Sequence, residues 1–151
     1  EGYVLDTSYS RDLLTAKWTS DALQHAFLQP LQVRIYDRKG VLVDVMPNCN
    51  VPPGFSNLKW EDTHVFDSLP TRRDRMIDTT LTLANEGHYL RRLTDGSVST
   101  IVPAKEHTIL VFWTYMMGRQ SRRLVELAKD AKARHRDDYD VYFVVADNLY
   151  H

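Results

Sequence analysis

Cysteine is almost missing from this chain: Cys49 stands alone among 151 residues. A single thiol cannot close an intrachain disulfide, form a CxxC pair or build a multi-cysteine zinc site. Histidine does not make up the deficit. His25, His64, His88, His107, His135 and His151 are scattered, with no HxxH or HExxH spacing, so neither a metal site nor a cofactor is expected. Charge of one sign is not in excess either. The 19 Lys and Arg nearly balance 20 Asp and Glu, which excludes the broad basic field that nucleic-acid binders use. Long apolar runs are absent. The longest, Ile109–Trp113, is far too short to span a bilayer. The chain opens at Glu1-Gly2-Tyr3 with no leader pattern, as a mature or trimmed form would, and its compartment stays open.

What is present is the ordinary mixture of a globular protein, long enough for one domain with a real core. There is no repeat and no low-complexity tract. Ser8 to Leu28 contains two helix-like stretches, with Ser20 as the N-cap of the second and Pro30 closing it. Leu31–Tyr36 alternates apolar and polar residues, as a half-buried strand should. Asp37-Arg38-Lys39-Gly40 supplies a turn, and Val41–Met46 returns as a second strand. Pro47 to Pro70 reads as irregular chain pinned to the core by Trp60, Val65 and Phe66. Asp78–Leu83 and Gly87–Leu93 read as β-like, followed by a turn at Thr94–Ser97 and a short strand or extended loop over Val98–Val102.

The strongest signals come last. Thr108–Trp113 is a continuous apolar, β-branched run, the mark of a strand buried on both faces. Ser121–Ala133 carries an apolar stripe of Leu124, Val125, Leu127, Ala128 and Ala131 and reads as a helix. Val141–Val145 is a second buried strand. The fold class is therefore α/β, with a central mixed sheet flanked by helices. One domain over 1–151 is expected, divided into a helical and hairpin segment (1–46), an irregular connection (47–77) and a hairpin with a βαβ unit (78–151).

Phe112-Trp113-Thr114-Tyr115-Met116-Met117-Gly118-Arg119-Gln120 resembles the active-site motif of the thioredoxin-like family, especially its bacterial envelope and peroxiredoxin-like branch. That motif reads F-W-x-x-W-C-G-P-C after a buried strand and before a long helix. Phe112, Trp113 and Gly118 keep their places, whereas Met117 and Gln120 stand where the cysteines would be and Arg119 where the proline would be. The resemblance spans residues 78 to 147 and takes Leu81 to Val98 as a β-hairpin lead-in. It also implies a proline opening a strand before a D-x-x-G turn, matched by Pro30, Asp37 and Gly40. In the family that hairpin follows the βαβ unit, whereas here it precedes it. A permuted fold, a piece of a longer or tandem protein, and a chance hairpin match all remain open.

The chemistry follows from the two replacements. Dithiol exchange needs an ionisable thiol at the helix N-terminus and a second thiol one turn on. A methionine thioether does not ionise and a glutamine amide does not attack a disulfide. The resemblance thus implies a non-catalytic module in a periplasmic or cell-envelope setting. It would bind a protein partner or its own copy through Trp113, Tyr115, Met116, Met117, Gly118, Arg119 and Gln120, with Pro30 nearby. Two other readings stand beside it: a one-cysteine redox enzyme using Cys49, and an anion site where Arg119, Arg122 and Arg123 crowd a helix N-terminus. Single cysteines are more often inert, and clustered arginines are more often solvated. His64, in an acid-rich stretch, reads as polar loop.

Overall fold

The computed structural model describes residues 2–18, 20–48, 58–59, 61–69 and 81–150. In chain order the elements are β1 (Gly2–Leu5), α1 (Ser8–Thr15), α2 (Asp21–Phe27), β2 (Gln32–Asp37), β3 (Leu42–Pro47), α3 (Leu83–Gly87), β4 (Leu90–Arg92), β5 (His107–Trp113), α4 (Gly118–Arg134) and β6 (Tyr139–Val145). The six strands form one mixed sheet in the order β3-β2-β5-β6-β1-β4. β5, β6 and β1 run parallel, while β2 is antiparallel to both β5 and β3, and β4 is antiparallel to β1. Val33 lies opposite Val111 and Ile35 opposite Ile109, so the N-terminal hairpin pairs directly with the central strand.

Period-two alternation divides the sheet into two faces. On one face Val33, Ile35, Ile109, Val111 and Val141 pack beneath α4 through Leu124, Leu127, Ala128 and Ala131. Val65 and Phe66, from the connection, complete that layer. On the other face Leu5, Tyr36, Leu110, Phe112 and Val144 pack against Tyr9 and Leu13 of α1, Leu23 and Phe27 of α2, and Leu83 of α3. The hairpin turn forms as its residues dictate. Asp37 accepts from the N–H groups of Lys39 and Val41 at 2.8 and 2.9 Å, and Gly40 takes φ +77°. Ser20 caps α2 by accepting from Leu23 N–H at 3.1 Å.

β2 departs from its expected half-buried state. Its polar alternates are as buried as its apolar ones, with Gln32, Arg34 and Tyr36 all at 0 % exposure. Arg34 survives there because every side of it is answered. One guanidinium nitrogen forks to both Glu86 oxygens at 2.7 and 2.6 Å and also donates to the Tyr9 hydroxyl. The remaining nitrogens donate to Gln32 Oε1 at 2.9 Å and Phe27 O at 3.2 Å. The guanidinium plane lies over Phe27 and Phe112, 3.7 and 4.1 Å from their ring centroids. Burial raises the Glu86 carboxyl above its ordinary value, with the Arg34 charge opposing it, and burial likewise raises the Tyr9 hydroxyl.

Three further expectations change. Leu83–Gly87 is a helical turn rather than the end of a β stretch, because Thr82 accepts from Asn85 N–H and caps it. The hairpin lead-in over Leu81–Val98 is thereby replaced by α3 and the three-residue β4. The strand expected over Gly87–Leu93 shrinks to Leu90–Arg92 because α3 and its exit occupy 83–89. The strand β1, with Gly2 at its head, was not anticipated. Residues 70–80 and Trp60, expected as loop, β-like stretch and core pin, lie outside the described residues.

Candidate functional site

The parallel strands β5, β6 and β1 end on the same side of the sheet, and the connection from β5 into α4 crosses that end. In α/β sheets such carboxyl ends are where loops gather and sites are built. Here the connection is a 3-10 turn over Tyr115–Met117, followed at once by Gly118, the first residue of α4, with φ +34°.

Side-chain hydrogen bonds fasten this turn. Ser121, buried at 3 % exposure, accepts from Thr114 N–H at 3.2 Å and donates to Thr114 O at 2.5 Å, closing a ring across the first turn of α4. The Thr114 hydroxyl donates to Asp147 and accepts from Met116 N–H at 3.2 Å. Asp147 also accepts from Tyr115 N–H at 3.2 Å. The end of β6 is tied back in turn, with Ala146 N–H donating to Trp113 O at 2.7 Å. The N–H groups of Thr114, Tyr115 and Met116, ahead of α4, are thus paired by Ser121 in its first turn, by Asp147 after β6 and by the Thr114 hydroxyl.

With its backbone so held, the turn turns its large side chains outward. Tyr115 is 73 % and Met116 67 % exposed, whereas Met117 packs against the core beneath α4. The Trp113 ring, half-buried, meets the Tyr115 ring edge-on with centroids 4.8 Å apart. Trp113, Tyr115, Gly118, Arg122, Val125 and Phe143 contribute to an open groove of about 660 Å³ running beside α4 toward β6.

The other expected site residues fall around this centre. Pro30 is half-buried two residues before the Gln32–Phe112 pair, at the same end of the sheet. Gln120 accepts a long hydrogen bond of 3.4 Å from Asn48, at the end of the hairpin. Arg119 and Arg122 are exposed, while Arg123 is partly buried and engaged. Met117 caps α4 with no side-chain hydrogen bond. Cys49 lies outside the described residues. No group of three or more metal-ligating side chains able to hold an ion occurs among the described residues, and no described helix is long and apolar enough to cross a membrane.

Thr114, Ser121 and Asp147 were not singled out from sequence. A hydroxyl residue directly after a buried strand, a serine seven residues on, and an aspartate after the next parallel strand form a pattern visible only once β5 and β6 are known to be neighbours. His64 does sit in a polar loop, as expected, but with a definite partner. Asp67 accepts from His64, from His135 at 2.8 Å and from Arg134 at 3.0 Å. Compared with protein-family models, curated proteins and solved structures, the chain finds no match in any of the three.

Proposed function

We propose that this chain is a non-catalytic, thioredoxin-like protein-binding module whose contact surface is the turn between β5 and α4. The fold half of this reading draws support from strand order. A parallel β–α–β unit with an antiparallel hairpin added beside its first strand is the arrangement the resemblance implies, and here the hairpin β2–β3 comes from the N-terminal side. The permuted form of the fold accommodates both facts.

The functional half is carried by one observation: Tyr115 and Met116 stand 73 % and 67 % exposed on a turn whose backbone is pinned by Ser121 and Asp147. Large apolar side chains on a pre-organised turn lose little conformational freedom when a partner covers them. Tyrosine is enriched among residues that dominate interface energies, and methionine adapts its shape to an irregular surface. At the same turn Met117 and Gln120 offer no ionisable thiol, so dithiol exchange has no nucleophile there.

A photoreactive phenylalanine analogue at position 115 tests the reading in the native cells, with the same analogue at Lys39, on the hairpin, as control. Position 115 should trap a defined protein that position 39 does not. The purified partner should then bind the wild type and lose roughly tenfold or more in affinity on Tyr115→Ala, a change of about 1.4 kcal/mol or more. Indifference of that affinity to Tyr115→Ala and Met116→Ala, or insulin reduction above background, would overturn it. The envelope setting is part of the proposal, and fractionation of the source cells tests it separately.

A further inference from the structure

At the amino ends of β5 and β6, the opposite end of the sheet from the β5–α4 turn, lies a polar pocket of about 370 Å³. Asp67 of the connection, Glu106 and His107 at the head of β5, and His135, Asp138 and Tyr139 between α4 and β6 line it. Asp67 is already engaged by His64, His135 and Arg134, which fixes one wall.

The other polar groups are not answered. His107 is 8 % exposed, yet its ring makes no hydrogen bond in the chain and its Nδ1 is fully buried without a partner. An imidazole so placed costs free energy until something pairs with it. The hydroxyl of Tyr139, a residue 5 % exposed, also has no partner. Nor do the Glu106 and Asp138 carboxylates make an ion pair or side-chain hydrogen bond among the described residues. Their neighbour Asp140, by contrast, is paired with Lys105 at 3.3 Å.

These unanswered groups converge. Burial raises the Tyr139 hydroxyl above its ordinary value, and the charges of Asp67, Asp138 and Glu106 raise it further, so all three carboxylates lie within reach of it. The rings of His107 and His135 have their centroids 5.9 and 4.7 Å from that of Tyr139. Three carboxylates stand against the one guanidinium of Arg134, which leaves the pocket negative while its imidazoles are neutral. The carboxyl end of α4, the negative end of its dipole, adds to this. No group of these side chains gathers closely enough to hold a metal ion. The acceptors are instead spread around a cavity, with aromatic faces between them.

We propose that this pocket binds a guanidinium group, carried by a small alkylguanidine or by an arginine side chain of a partner. A guanidinium presents several N–H donors in one plane, which suits acceptors distributed around a cavity better than a compact ion does. It also lies flat against aromatic rings, which Tyr139 and His135 offer. His107 accepts through a ring nitrogen, and Glu106 and Asp138 supply the counter-charge. The pocket is separate from the β5–α4 turn and does not depend on the role assigned to that turn.

Titration of isotope-labelled protein with butylguanidinium, followed by NMR, tests the proposal. The ring signals of His107, His135 and Tyr139 should move saturably, with a Kd of about 1 mM or tighter, while the amides of Thr114 and Met116 stay in place. Butylurea, which has the same shape without the charge, should bind at least about tenfold more weakly. Glu106→Gln and Asp138→Asn, both at exposed positions, should fold as the wild type does and each weaken binding about two- to fivefold. Acetyl-arginine methylamide binding as well as butylguanidinium assigns the site to an arginine side chain, whereas its exclusion assigns it to a free small molecule. Absence of saturable movement overturns the proposal. So does equal binding of butylurea or butylammonium, or an affinity indifferent to both carboxylate substitutions.

Discussion

Two polar networks sit in this molecule, and they do opposite work. Around Arg34 an ion pair with Glu86, a tyrosine hydroxyl, a glutamine and a backbone carbonyl are sealed between α1, α2, α3 and the sheet. Around Thr114, two hydroxyls and the Asp147 carboxylate hold a turn at the sheet's end and leave Tyr115 and Met116 in solvent. The first network presents nothing to the outside: Arg34 is wholly buried and Glu86 is 7 % exposed. The second presents Tyr115 and Met116 to solvent while Met117 packs inward. Polar groups bought by burial in the first case fix which helix sits where on the sheet; in the second they fix the shape of a surface.

The difference should be largest in stability. Arg34→Met leaves the Glu86 carboxylate buried without its cation and should cost about 3–5 kcal/mol in urea unfolding. The double variant Arg34→Met/Glu86→Leu should recover most of that loss, because both charges leave together. A single substitution costing less than about 1 kcal/mol would erase the distinction between the two networks.

Ser121→Ala probes the second network and should cost less, about 1–3 kcal/mol, through the buried N–H and C=O of Thr114 that lose their partner. Its effect on partner affinity should exceed what that loss of stability alone explains, since the turn loses its fixed shape. Equal costs in Ser121→Ala and Arg34→Met would show that the turn is as much part of the core as the ion pair.

Asp67 supplies a third, pH-dependent case. Burial works to raise its carboxyl, but hydrogen bonds from His64, His135 and Arg134 outweigh that and hold it well below the usual carboxylate range. A carboxyl depressed in the folded state stabilises fully above the unfolded value and loses that contribution as pH falls through the acid range. Wild-type stability should therefore fall below about pH 4, and Asp67→Asn should be less stable than the wild type at neutral pH but converge with it in acid. Parallel curves at all pH values would remove Asp67 from the account. The smallest stability effect belongs to Tyr115→Ala and Met116→Ala. Each should change unfolding free energy by no more than about 0.5 kcal/mol in a thermal or urea melt.

The parts of the fold readable from sequence were those whose periodicity matched their burial. β5 is apolar and buried along nearly its whole length, α4 carries a full stripe, and the β2–β3 hairpin has Asp37 and Gly40 at the positions its turn requires. β6 is buried less completely than its apolar run suggests, with Tyr142 and Phe143 half-buried. β2 shows where this logic fails. Alternating Gln32, Arg34 and Tyr36 look like a solvent face, and the carboxylate that makes their burial tolerable lies 52 residues away on α3. α3 itself was hidden because five residues are too few for a helical period, and Leu81-Thr82-Leu83 has strand-like composition. β1 was hidden for the same reason, being four residues headed by glycine. At the site, Tyr115 and Met116 were identified from the motif, but the residues that hold them out were not. Thr114, Ser121 and Asp147 are ordinary polar residues until β5 and β6 are placed side by side.

The claim that the β5–α4 turn is a rigid platform can be tested without knowing any partner, by amide hydrogen exchange at Thr114 and Met116. The Thr114 N–H, donated to Ser121, and the Met116 N–H, donated to the Thr114 hydroxyl, should exchange as slowly as the amides of β5 and speed up together in Ser121→Ala. Exchange of both amides at the rate of an open loop in the wild type would contradict a pre-organised docking turn.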